Sequence, residues 1–111
     1  PDNLALLTNL GNIYRELGDV DRARVMMSEG IAKCGEYVPP ALINNLGLLE
    51  LNAGNFQIAQ GHFQHALRAL SADKTSGVGE SVGADGTEAE AVIRNNLLRA
   101  EDGLREVHHR R

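Results

Sequence analysis

At 111 residues the chain has room for one domain with a modest core. Eleven basic residues against fifteen acidic ones give a formal net charge of −4, which removes the electrostatic case for nucleic acid as the main partner. Trp is absent and Cys34 is the single cysteine, so the core must come from aliphatic residues and no internal disulfide is possible.

No apolar run approaches about 18 residues, so no membrane-spanning helix is expected. A lone thiol outside any disulfide framework points to the cytoplasm or another reducing intracellular compartment. The basic cluster of Arg105, His108, His109, Arg110 and Arg111 is interleaved with Glu106 and reads as the solvated end of a helix. Opening at Pro1 rather than Met, the sequence reads as a segment of something larger.

The first helix is expected from about Asn3 to Leu17. Asp2 supplies a cap, and Leu6, Leu7, Leu10, Ile13, Tyr14 and Leu17 fall at threes and fours. Gly18 stops it, and Asp19 offers a carboxylate to the free amides of a second helix over about Val20 to Lys33. Pro39 and Pro40 mark the next boundary, since a proline in a first turn gives up no helical hydrogen bond. A third helix then runs to about Ala53, Gly54 and Asn55 make a turn, and a fourth helix spans about Phe56 to Leu70. Residues 71–86 are rich in Gly, Ser and Asp and read as a flexible loop. Thr87 with Glu90 forms a capping box for a fifth helix to about Val107, with Ile93, Leu97, Ala100, Leu104 and Val107 inward and Gly103 a local weakness.

The helices are copies of one another. Asn9, Leu10 and Gly11 recur 36 residues on as Asn45, Leu46 and Gly47; Gly18 recurs as Gly54 and Ala23 as Ala59. Ile13 matches Leu49, Val20 matches Phe56 and Met27 matches Phe63. Aligning Asn45 with Asn96 makes the fifth helix a third copy of the opening one, 51 residues later. A period of this length with helical spacing implies stacked helix pairs, each too small to bury its apolar face alone.

Leu10, Gly11, Tyr14, Gly18, Ala23, Met27 and Gly30, repeated as Leu46, Gly47, Gly54, Phe56, Ala59, Phe63 and Ala66, resemble the tetratricopeptide repeat family. The resemblance implies an all-α fold: a right-handed superhelix of antiparallel helix pairs with a terminal capping helix. The expected layout is a single domain over 1–111. It holds a first repeat at 4–37, a second at 40–70, the loop at 71–86, and a partial third repeat or cap at 87–109. Gly11 and Gly47 would let paired helices approach, and Phe63 would wedge between layers. The period exceeds the usual 34 residues by two, most simply in the Gly35 to Pro39 turn. Glu50 stands where Tyr14 supplies an aromatic in the first copy, and Leu98 stands where the third copy would carry its small glycine.

The resemblance also implies a concave groove lined by the first helix of each pair. By register it takes Thr8, Asn12 and Arg15 from the first helix, Asn44, Asn45, Leu48, Leu51 and Asn52 from the third, and Asn95 and Arg99 from the fifth. Side-chain amides suit a peptide, because each can donate to one backbone carbonyl and accept from the next amide. Leu48 and Leu51 would add an apolar pocket. Asn12 and Asn45 match two amides with which some members hold a terminal carboxylate. Thr8, Val92 and Asn96 occupy the places of the bases such a clamp requires, which argues against that ligand.

Other signals fall short of chemistry. Gly77, Gly79 and Gly83 lack the strand and spacing of a phosphate loop. His62 and His65 have no Cys or acidic cluster to complete a zinc site. No hydroxyl or thiol stands in an activated arrangement with His and an acid. The expectation is therefore a non-catalytic protein-interaction module without cofactor or metal, binding a peptide or helix of a partner protein. The alternative is a structural cap of a longer solenoid, mediating assembly or self-association, with adjacent repeats of its own parent chain as partner. Neither nucleic acid nor membrane is expected.

Overall fold

The computed structural model describes residues 4–73 and 83–109. Five helices follow in order: α1 Leu4–Glu16, α2 Val20–Lys33, α3 Pro40–Asn52, α4 Phe56–Asp73 and α5 Gly83–His109. The described residues are all-α, with no strand among them. α1 packs on α2 and α3 on α4, α2 touches α3, and α5 closes on α4.

Both intra-pair turns are built alike. Gly18 and Gly54 adopt φ of 84° and 85°, a region in which a side chain would be strained. In the first turn the amides of Gly18 and Asp19 donate to the carbonyls of Arg15 and Tyr14 at 3.0 and 2.9 Å. In the second, Gly54 and Asn55 donate to Leu51 and Glu50 at 3.1 and 2.8 Å. Each pair satisfies carbonyls that the ending helix leaves open. Asp19 caps α2 as the sequence predicts, its Oδ1 accepting from the Arg22 amide at 3.2 Å. Asp2 lies outside the described residues. Pro39 and Pro40 open α3 from its cap and first position.

The helix crossings explain the repeated glycines. A Cβ on Gly11 would lie 2.9 Å from Met27 Cγ, and one on Gly47 would lie 2.7 Å from Phe63 Cδ1. Met27 and Phe63 are both fully buried. Ala23, Met27 and Leu49 form one core cluster, with Tyr14, Val20 and Leu46 against it. Ile43, Ala59, Phe63, Ala66, Ile93 and Ala100 form the centre of a second.

Three features depart from the sequence expectation. α4 continues to Asp73 and α5 starts at Gly83, so helix enters both ends of the expected 71–86 loop. Thr87 falls inside α5 instead of at its start, and Gly77 and Gly79 lie outside the described residues. Gly103 is a packing site: a Cβ there would meet Phe56 Cε1 at 2.6 Å, so the missing side chain admits the ring that opens α4. Finally, not every apolar residue turns inward. Leu6 and Ile13 of α1, Leu17 in the turn after it and Val107 of α5 are exposed. Leu98 is exposed as well, since α5 has no following helix to close on among the described residues.

Candidate functional site

α1, α3 and α5 carry the residues that the sequence assigns to a groove. On α1, Thr8, Asn12 and Arg15 share one face at spacings of four and three. Thr8 is half-buried and turns its hydroxyl back into the helix, Oγ1 donating to the Leu4 carbonyl at 2.9 Å. Asn12 and Arg15 are also half-buried. The Asn12 Oδ1 acceptor and the Arg15 Nε donor are shut off from solvent without a hydrogen-bond partner among the described residues. An acceptor and a donor left open on one helix face is an uncommon state, because burying a polar atom unpaired costs about 1–3 kcal/mol.

On α3, Asn44, Asn45 and Leu48 are half-buried and Asn52 is exposed. Leu51 belongs to the second core cluster and is buried, so it backs this face from behind and offers little surface for a pocket. Leu48 lies against the same cluster and keeps partial exposure. On α5, Asn95 and Arg99 are exposed. Asn96, one residue over, is buried and ties α5 to α3: its Nδ2 donates to Asn44 Oδ1 at 3.0 Å. Arg99 Nη1 reaches Asn96 Oδ1 at 3.5 Å. Asn44 is thus half committed, with its oxygen engaged in the bridge.

A second polar site was not legible as a site in the sequence. Glu50 is a buried carboxylate between α2 and α3. Arg24 of α2 grips it with two bonds, Nε to Oε2 at 3.1 Å and Nη2 to Oε1 at 3.0 Å. Asn55 Nδ2 donates to Oε1 at 2.8 Å. Burial pushes the Glu50 carboxyl up, but the bonds from Arg24 and Asn55, the Arg24 charge and a pull from His62 leave it below its ordinary value. The bond to Glu50 in turn raises Arg24 against the effect of burial. Burial lowers His62; Glu50 opposes that shift and His65 adds to it. This arrangement fastens the first helix pair to the second. Glu50 replacing an aromatic was visible in the sequence, whereas its partner 26 residues earlier had no local signature.

Among the described residues no group of three or more His, Cys, Asp or Glu side chains is placed to hold a metal. Cys34 is half-buried at the end of α2, its Sγ donating to the Gly30 carbonyl at 3.3 Å. No described helix is long and apolar enough to cross a membrane.

Comparison with known proteins adds one finding. Residues 3–38 match the tetratricopeptide repeat family model, a span that covers α1, α2 and the turn after them. No curated protein and no solved structure gives a significant match to the chain.

Proposed function

With a tetratricopeptide repeat over residues 3–38 as premise, we propose that the chain is a non-catalytic protein-interaction module. Its α1, α3 and α5 line one side of a right-handed stack of helix pairs and receive a peptide or a helix of a partner protein. The observation that carries this reading is the open pair on α1. Asn12 Oδ1 accepts and Arg15 Nε donates, and neither is used by the described residues. Both atoms are closed to solvent as they stand, so an extended peptide, which presents donors and acceptors along its backbone, reaches them by opening the Asn12 and Arg15 side chains and meets the exposed Asn52, Asn95 and Arg99 directly. Asn45, Asn52, Asn95 and Arg99 extend the polar lining, and Leu48 supplies apolar contact. Thr8 and Asn44 shape the face while bonded elsewhere, and Leu51 supports it from the core.

Binding of this kind works by surface complementarity alone, with no bond made or broken. A groove of three helices offers limited contact, so affinity concentrates in a few buried positions. Selection from a random peptide library against the chain and against a folded Asn12→Ala/Arg15→Ala variant tests the reading. Peptides enriched on the parent and lost on the variant are the expected result. Equal enrichment on both would remove the groove assignment.

A further inference from the structure

A chain of polar side chains runs from α5 to α3 along the candidate face. Asn96 is buried, at 6% exposure, and its Nδ2 donates to Asn44 Oδ1 at 3.0 Å. Its own Oδ1 faces Arg99 Nη1 at 3.5 Å. A guanidinium carries donors and no acceptor, so the end of the Asn96 amide turned toward Arg99 has to be its oxygen. The nitrogen is left to point at α3, where the Asn44 oxygen receives it. The exposed cation at the outer end thus sets the direction of the whole chain.

Asn44 ends this chain with its nitrogen uncommitted. That Nδ2 has no hydrogen-bond partner among the described residues. It is open to solvent, unlike Asn12 Oδ1 and Arg15 Nε on α1. An asparagine free to turn over offers a ligand its oxygen as readily as its nitrogen. Asn52 and Asn95 are in that position, exposed on the same face with no side-chain bond to hold them among the described residues. Turning Asn44 over would set its nitrogen against that of Asn96, two donors facing each other at the 3.0 Å now bridged by a bond. A buried donor left unpaired costs about 1–3 kcal/mol, so one orientation dominates.

We infer that Asn96 is a positioning residue for the groove: it fixes Asn44 as a hydrogen-bond donor, and the ligand places a backbone carbonyl oxygen there. Asn44 shapes the face through its oxygen and reads the ligand through its nitrogen. An extended peptide carries such a carbonyl at every residue, proline included, whereas its N–H groups find no acceptor at this position. This role rests on the groove reading proposed above and adds the polarity of one contact and the buried residue that sets it.

Asn96→Asp tests the role. The new carboxylate still faces Arg99 but has no donor for α3, so Asn44 turns its Nδ2 inward and shows the ligand its oxygen. The bridge between the helices is kept and its direction reversed. Without ligand, NMR of the side-chain amides is expected to show fast solvent exchange of the Asn44 Nδ2 protons in the parent. In Asn96→Asp that exchange should slow by at least about tenfold. With ligand, the probe is the strongest library-selected peptide that binds the parent and not the Asn12→Ala/Arg15→Ala variant. Its affinity should fall at least about tenfold in Asn96→Asp, and no further when Asn96→Asp is added to Asn44→Ala. Asn44→Asp leaves Asn96 in place, accepts its bond and donates nothing, so it should lose the peptide as well. A residue that only holds α5 in place would weaken binding equally with and without the Asn44 amide. Such equal losses, parent-like affinity in Asn44→Asp, or slow exchange of the Asn44 protons in the parent would overturn the inference and leave the groove standing. Failure to find any peptide that separates the parent from Asn12→Ala/Arg15→Ala would instead overturn the groove reading, and the ligand contact with it.

Discussion

The two helix pairs share one backbone plan and fill it with different chemistry. In the first pair Gly11 faces Met27, and Tyr14 sits beneath Arg22, whose guanidinium carbon is 5.9 Å from the ring centre. In the second pair Gly47 faces Phe63, and Glu50 stands at the Tyr14 position with Arg24 and Asn55 around it. A flexible thioether is replaced by a rigid ring, and a stacked aromatic by a buried ion pair. The turns beside them keep the same glycine geometry. The comparison teaches that the repeat fixes where helices cross, while the contents of each crossing set how firmly the pairs hold.

That contrast is sharpest at the glycines. Gly47→Ala should destabilise the chain by about 3 kcal/mol in denaturant unfolding, because the new methyl meets a ring that cannot bend away. Gly11→Ala should cost about 1 kcal/mol or less, since Met27 can change rotamer and alanine favours the helix. Equal effects at both positions would break the comparison. Gly103→Ala should fall between them, at about 2 kcal/mol, with only half-buried Phe56 to displace.

The ion pair should respond asymmetrically. Arg24→Leu leaves a buried carboxylate with Asn55 as its remaining side-chain hydrogen-bond donor among the described residues and is expected to cost about 2 kcal/mol, less than a fully buried pair because Arg24 retains access to water. Glu50→Leu removes the buried charge and leaves Arg24 hydrated, so its cost should stay within about 1 kcal/mol. Comparable losses would show that the pair's attraction outweighs the cost of burying it.

The smallest expected effect is on pH dependence. Glu50 is held below its ordinary value of 4.5 in the folded chain, so its contribution is present above that pH and lost as pH falls through the folded value. His62 is also lowered, from 6.5, and therefore withdraws stability in the same direction, starting at higher pH. In a His62→Gln background, which removes the imidazole that Glu50 also acts on, unfolding curves between pH 7 and 3 should show a shallower acid decline with Glu50→Leu than without it. A steeper decline would contradict the assigned role of Glu50.

Much of the fold was legible because it rests on local signals. Gly18, Gly54, Asp19 and Pro40 act within a few residues of where they stand, and the bounds of α1 to α3 and the start of α4 fall close to expectation, while α4 runs on to Asp73. The start of α5 was not legible, because Thr87 and Glu90 form a good cap in isolation while the structure carries the helix back to Gly83. Gly103 reads as a defect until Phe56, 47 residues earlier, is placed against it. The candidate face was legible only in outline. Register put Asn12, Arg15, Asn44 and Leu51 on it, whereas the bond from Asn96 that engages Asn44 and the inward turn of Leu51 arise from packing between helices.

The central claim is that α1 receives a peptide on its Asn12 side. Calorimetric titration of the strongest library-selected peptide into the parent, Asn12→Ala and Ile13→Lys tests it most directly. The account predicts at least about tenfold weaker binding for Asn12→Ala, as when a buried hydrogen bond is lost, and an unchanged affinity for Ile13→Lys. Parent-like affinity in Asn12→Ala with loss in Ile13→Lys would contradict it and move the peptide to the opposite side of the helix.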